Sequence, residues 1–179
     1  MARLFTAIEL PSPLKDDLLK LSCSIPGAHW SKREQMHLTI TFIGEVESNK
    51  QSQIQEALST ITSEPFSLKV EHVGTFPNPK YPKILWVGIS LFSGLSQLKT
   101  QIEQALQKAI AFTPEVREYN PHLTLARLRG VESKELTQFL EKQEHLSYEA
   151  FPVEHFNLYS SKLLRTGAEY RVEQSYPLS

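Results

Sequence analysis

The sequence predicts an α+β chain built from a pseudo-duplicated unit, and three observations carry that prediction. Apolar residues alternate with others in short runs, the period of a strand. Between those runs they recur at three- and four-residue spacing, the period of a helix. Residues 37–48 then align with residues 122–133, 85 positions later, within elements of the same order.

Taken in order, Leu4, Thr6, Ile8 and Leu10 alternate with Phe5, Ala7 and Glu9, which predicts a strand at the start of the chain. Ser12-Pro13 predicts a helix start: a hydroxyl to cap, and a proline at the first helical position, where its missing N–H costs nothing. Leu14, Leu18, Leu21 and Ile25 continue at helical spacing until Pro26-Gly27. His37 to Ile43 alternates again as a second strand. Ser48 or Asn49 is expected to cap the next helix, whose buried stripe is Ile54, Ala57, Leu58 and Ile61. Phe66 to Val70 reads as a short strand, followed by the proline-rich loop Phe76–Pro82. Residues 83–90 are apolar enough for an interior strand, which assigns Trp86 to the core. Leu95, Leu98, Ile102, Ala105, Leu106 and Ala109 mark a long helix, and His122 to Leu128 a further strand. Ser133 is expected to cap a helix carrying Leu136, Phe139 and Leu140, before closing strands at about 151–161 and 168–176.

A length of 179 residues predicts one domain, 1–179, whose halves carry the repeated motifs at 37–40 and 122–125. The single cysteine, Cys23, excludes a disulfide within the chain and a thiolate-rich zinc site. Nineteen Lys+Arg against twenty Asp+Glu argue against a broad nucleic-acid-coating face but leave room for a local basic pocket. No apolar run approaches the roughly 18 residues of a membrane span, and the first residues lack a signal-peptide layout. These features predict a cytoplasmic, soluble, monomeric protein with no membrane association and no obligatory protein partner.

The chemistry sits in the repeat. His37-Leu-Thr-Ile-Thr-Phe-Ile-Gly-Glu-Val-Glu-Ser48 lies over His122-Leu-Thr-Leu-Ala-Arg-Leu-Arg-Gly-Val-Glu-Ser133, with six of twelve positions identical. Along a strand, alternate side chains share a face, so His37 and Thr39 point together, as do His122 and Thr124. Related by a pseudo-two-fold axis, the two pairs would face each other across a cleft. The competing interpretation is a duplicated strand that keeps these residues for structure alone. Two imidazoles with ordinary pKa values near 6.5 suit paired proton transfer: one takes a proton from an attacking water, the other gives one to a leaving oxygen. Metal-free phosphodiester hydrolysis needs that pair plus donors for the non-bridging oxygens, and Thr39 and Thr124 supply hydroxyls there.

The repeat also breaks informatively. Arg127 aligns with Phe42, so a permanent cation stands on one half alone, as a phosphate anchor or as a plain surface charge. Simple alternation puts Arg127 on the leucine face, and it reaches the cleft only through a bulge or the strand's end. Gly44 lies seven residues after its histidine and Gly130 eight, a sign of such an irregularity.

On these motifs the sequence resembles the 2H phosphoesterase superfamily, and more closely its RNA 2′,3′-cyclic phosphodiesterases, also called 2′-5′ RNA ligases. Arg3–Pro11, Met36–Glu45, Phe76-Pro-Asn-Pro with Lys83–Trp86, Asn120–Arg127, and Leu158–Leu163 with Tyr170 carry the resemblance over essentially the whole chain. It implies a bilobal fold, two antiparallel sheets lining a central groove with helices outside. It further implies hydrolysis of 2′,3′-cyclic phosphate RNA ends or nucleotides to 2′-phosphomonoesters, without metal or other cofactor. His37 would be the proton donor, His122 the proton acceptor, and Arg127 a phosphate ligand with Thr39 and Thr124. His29 departs from the family, which usually has Arg or Lys there. The alternatives are 2′-5′ ligation, the same reaction reversed, and a nucleotide-phosphate binding module without turnover.

The remaining singled-out residues have blander expectations. His72, His145 and His155 lack a duplicate or a threonine partner and are expected to be structural or surface residues. Trp30 is open to ligand contact; Lys80, Tyr81 and Lys83 lie in a proline-rich loop that is expected to be an ordinary solvated loop, with the rim of the groove as its alternative; and Arg129, Lys162 and Arg165 are candidate RNA-backbone contacts.

Overall fold

The computed structural model describes residues 2–129 and 133–179. Ala2–Glu9 (β1) is buried at every position from Leu4 to Ile8, because both of its faces are covered. Ser12–Leu19 (α1) begins one residue before expectation: the carbonyl of Pro11 accepts the first helical bond from Lys15, so Pro11 holds the cap position and Ser12 caps nothing. The helix stops at Leu19, yet Ile25 beyond it still packs into the core. His29–Trp30 (β2) escapes any periodicity argument at two residues. His37–Val46 (β3) follows, then a 3-10 turn at Ser48–Lys50 that leads into Gln51–Ser59 (α2) without a side-chain cap.

Phe66–Phe76 (β4) runs on well past Val70. His72 adopts φ +62° beside a register shift between Glu71 and Val73, a bulge that breaks the alternation without ending the strand. Ile84–Ser90 (β5), Ser93–Ile110 (α3), His122–Arg127 (β6) and Lys134–Lys142 (α4) fall where expected. Ser133 does cap α4, its Oγ accepting the Leu136 N–H at 3.1 Å. Gly130 and the repeated Val131-Glu132 lie outside the described residues. Phe151–Val153 (β7), His155–Leu164 (β8) and Gly167–Pro177 (β9) complete the chain.

All strand pairs are antiparallel, in two sheets ordered β3-β1-β8-β9 and β2-β6-β5-β4-β7. The sheets correspond strand by strand: the motif strands β3 and β6 lie next to β1 and β5, then β8 and β4, then β9 and β7. In each case the third strand comes from the other half of the chain. The chain therefore passes between the sheets before β2, β3, β4 and β8.

One apolar core joins both sheets to all four helices. Leu4, Ile8, Leu38 and Ile40 of the first sheet and Leu85, Val87, Leu123 and Leu125 of the second share it with Leu14, Leu18, Ile54, Leu58, Leu98, Ile102 and Phe139. Each such side chain contributes about 1.5–3 kcal/mol relative to exposure. Phe5, Ala7 and Tyr159, with Tyr170 against them, form a separate small cluster on the opposite face of the first sheet. Among the described residues, no helix is long and apolar enough to cross a membrane.

Candidate active site

The motif strands β3 and β6 pack against one another, and both bear the same irregularity. On β3, Thr6 pairs with Thr41 and Ala7 with Thr39; on β6, Leu85 pairs with Ala126 and Trp86 with Thr124. One residue is thus unpaired in each, Ile40 and Leu125. The burial pattern records the consequence: Ile40-Thr41 and Leu125-Ala126 are consecutive buried residues, and the next side chain swings back to the histidine face. That residue is Phe42 on β3 and Arg127 on β6, both exposed. The bulge that Arg127 requires is therefore present, and it is itself duplicated.

His37 is half-buried in an aromatic box. Its ring centroid lies 4.9 Å from Phe5, 5.8 Å from Tyr159 and 4.9 Å from Tyr170, the last edge-on. Burial pushes its pKa down to about 4, helped by the nearby charge of Lys15 and opposed by a backbone hydrogen bond at Gln35. Lys15 is itself buried and held by Glu9, Nζ to Oε1 3.0 Å, directly across β1 from His37. His122 lies edge-on to Phe76 at 4.9 Å, and Phe76 leans on Trp86 at 5.2 Å. Its Nδ1 is 2.7 Å from the carbonyl of Asn120. A carbonyl oxygen can only accept, so Nδ1 carries the proton and Nε2 is left with the lone pair in the neutral ring. Gln35 and Asn120 occupy equivalent places, each two residues before its histidine.

The two motifs are tied across the groove through their backbones. Tyr119 donates its hydroxyl to the Thr39 carbonyl at 2.9 Å, and Ser31 donates its hydroxyl to the Thr124 carbonyl at 2.9 Å. The loop leading to each motif thus holds the threonine of the other. Burial pushes the Tyr119 phenol up, which keeps it a donor at any working pH. Among the described residues, the Thr39 and Thr124 hydroxyls and the Arg127 guanidinium make no hydrogen bond or ion pair within the chain, and Thr39 and Thr124 are partly accessible. Tyr119→Phe is expected to lower unfolding free energy in urea by about 1 kcal/mol; an unchanged midpoint would mean the bond contributes nothing.

Several sequence expectations need correction. Trp86 is not in the core: its cross-strand partner is Thr124, and it lies on the groove face beneath Phe76. Gly74 makes this possible, since a Cβ there would sit 2.2 Å from the indole. Trp30 packs edge-on against Phe139 at 5.8 Å and donates to the Cys23 carbonyl, which is a structural role. His72, His145 and His155 are exposed, as expected. Sequence patterning does not mark Phe5, Tyr159, Tyr170, Tyr119, Ser31 or Lys15 as part of the site. The one signal it offers is Phe5, a large aromatic alternating onto the face away from Leu4 and Ile8. Among the described residues no three metal-ligating side chains gather.

Two antiparallel sheets bearing mirrored His-x-Thr strands, with helices packed behind them, define a duplicated α+β fold of the phosphoesterase type. Comparison with known proteins agrees. The model of the family LigT like Phosphoesterase matches residues 8–86 and 90–170, and the chain belongs to that family. It is 32% identical over 174 residues to the RNA 2′,3′-cyclic phosphodiesterase of Methanocaldococcus jannaschii, covering 95% of this chain and 97% of that one. It is 30% identical to the protein of the same name from Archaeoglobus fulgidus, covering 94% and 96%. Among solved structures, the Escherichia coli LigT complexed with 3′-AMP superposes with a TM-score of 0.80 at 22% identity, covering 99% of this chain and 98% of that one. A Thermus thermophilus protein superposes with a TM-score of 0.83 at 22% identity, covering 98% and 97%.

Proposed function

We propose that this chain, acting as one domain, hydrolyses 2′,3′-cyclic phosphates on RNA ends or small nucleotides to 2′-phosphomonoesters. The observation that carries this is the duplicated His-x-Thr face, followed on each strand by a bulge that returns position 42 or 127 to that face. The names of the relatives from M. jannaschii and A. fulgidus support the substrate class. In the step, a water oxygen bonds to phosphorus as the bond from phosphorus to the 3′ oxygen breaks. His122 Nε2 takes the water proton, and His37 gives its proton to the departing oxygen. Thr39, Thr124 and Arg127 hold the non-bridging oxygens, and no metal takes part.

The Asn120 carbonyl supports His122 as acceptor, because it fixes the tautomer with a bare Nε2. His37, held down to about 4, is neutral in the free protein at pH 7. The anionic phosphodiester acts the other way, favouring the charged ring, so His37 takes up its proton as substrate binds. The same lowered pKa favours a second reading in which the two imidazoles exchange roles.

The test is turnover of a 2′,3′-cyclic nucleotide in excess EDTA, with the product identified. A 2′-phosphate formed despite chelation is the expected result. A 3′-phosphate supports the exchanged roles, and loss of turnover on chelation overturns the metal-free step.

A further inference from the structure

The two ties across the groove are unequal. Ser31 reaches the second motif twice, through its hydroxyl to the Thr124 carbonyl at 2.9 Å and through its own N–H to the Leu125 carbonyl at 2.8 Å. The tie to the first motif is one side-chain bond, from the Tyr119 hydroxyl to the Thr39 carbonyl at 2.9 Å. That carbonyl stands directly before Ile40, the unpaired residue at which the ladder between β1 and β3 is interrupted. The position of Thr39 therefore leans on a single phenolic oxygen, at the point where its own sheet holds it least.

Tyr119 is itself held, from α3. The Lys99 ammonium lies 5.2 Å from the centre of its ring and pairs with Glu103, one turn further along the helix. The Lys99 and Glu103 side chains are only 17% and 16% exposed, whereas lysine and glutamate on a helix surface are normally solvated. An i,i+4 pair adds only tenths of a helix's stability and does not need such cover. Here the cation attracts the ring face. Burial, and then the Glu103 carboxylate, hold the phenol in its protonated, donating form.

Fixing the Thr39 carbonyl has a chemical consequence because threonine is β-branched. Its χ1 has few wells, so the direction of its hydroxyl follows the backbone. Among the described residues that hydroxyl has no hydrogen bond within the chain to aim it otherwise.

We infer that Tyr119, clamped by Lys99 and Glu103, is a positioning residue that acts through the Thr39 carbonyl to aim the Thr39 hydroxyl at the phosphate. The inference rests on the hydrolase reading above and adds a residue that serves the reaction without touching the substrate.

The experiment is a double-mutant cycle on kcat/KM for adenosine 2′,3′-cyclic phosphate, with Tyr119→Phe, Thr39→Val and the two combined. Tyr119→Phe keeps the ring beside Lys99 and removes one oxygen. It is expected to lower kcat/KM about tenfold in the parent, within the cost of a sub-ångström misplacement. In the Thr39→Val background, where no hydroxyl is left to aim, the loss should fall below about twofold. Lys99→Met is expected to cost about threefold in the parent and nothing in the Tyr119→Phe background; unchanged turnover of Lys99→Met overturns the clamp. An equal loss on Tyr119→Phe in both backgrounds would assign Tyr119 to the fold alone and overturns the positioning role, as does no loss in the parent. The same cycle read on the Kd of adenosine 2′-monophosphate should show the same pattern, and it decides the matter where Thr39→Val turns over too slowly to measure. No turnover of the cyclic nucleotide by the parent overturns the hydrolase reading and the positioning role with it.

Discussion

His122→Ala is expected to lower kcat for adenosine 2′,3′-cyclic phosphate by about 10²–10⁴-fold, the usual contribution of one positioned acid or base. His37→Ala should fall in the same range. In the proposed step both imidazoles act in one transition state, so the double variant should lose far less than the product of the single losses. The geometry makes the substitutions clean: His37 sits among Phe5, Tyr159 and Tyr170 and His122 lies against Phe76, both on the strand face opposite the buried leucines. Circular dichroism of the variants should match the parent. Steady-state rates within about threefold of the parent for either variant would remove that histidine from the proton-transfer pair.

The second large effect concerns stability against pH. His37 has a pKa near 4 in the folded chain against an ordinary value of 6.5, so between those values the unfolded chain binds the extra proton. The stability this group contributes is intact above about pH 6.5 and is lost as the pH falls toward 4. One unit is worth about 1.4 kcal/mol, which puts the loss at up to about 3 kcal/mol. His37→Gln keeps a polar side chain without titrating and should remove this part of the acid sensitivity. Urea unfolding of both proteins at pH 7 and pH 4.5 checks it. Parallel losses in the two would mean that His37 titrates normally. In the proposed step protonated His37 is the form that the bound phosphate stabilises, so the same burial that costs stability in acid would couple the ring's charge to the ligand.

The duplication is the most legible feature in the sequence, because His-Leu-Thr and Val-Glu-Ser recur at a fixed distance whatever the three-dimensional arrangement. The need for a bulge before Arg127 is legible too, since strict alternation points its side chain the wrong way. The end of β4 is misplaced at Val70 because a residue in the left-handed region interrupts alternation just as a strand end does. Trp86 is misassigned because its strand is apolar on both faces, and the absence of a side chain at Gly74, which opens the groove face to the indole, lies in the neighbouring strand. The bonds from Tyr119 to Thr39 and from Ser31 to Thr124 join residues 80 and 93 apart in the chain, a separation at which periodicity carries no information. The exchange of β4 and β8 between sheets is likewise a matter of pairing partners rather than of local pattern.

That exchange has a mechanical meaning. Two lobes joined by one linker can close on a ligand like a jaw, turning about the single covalent pivot. Here four chain crossings join the sheets, and β4 and β8 are each locked into the partner lobe by a full antiparallel ladder. A rotation that opened the groove about one crossing would stretch the other three and shear those ladders. The gap between the motif strands therefore behaves as a rigid slot, machined once during folding. Adjustment to ligands falls to side chains along its rim, and the spacing of the two imidazoles is a property of the backbone.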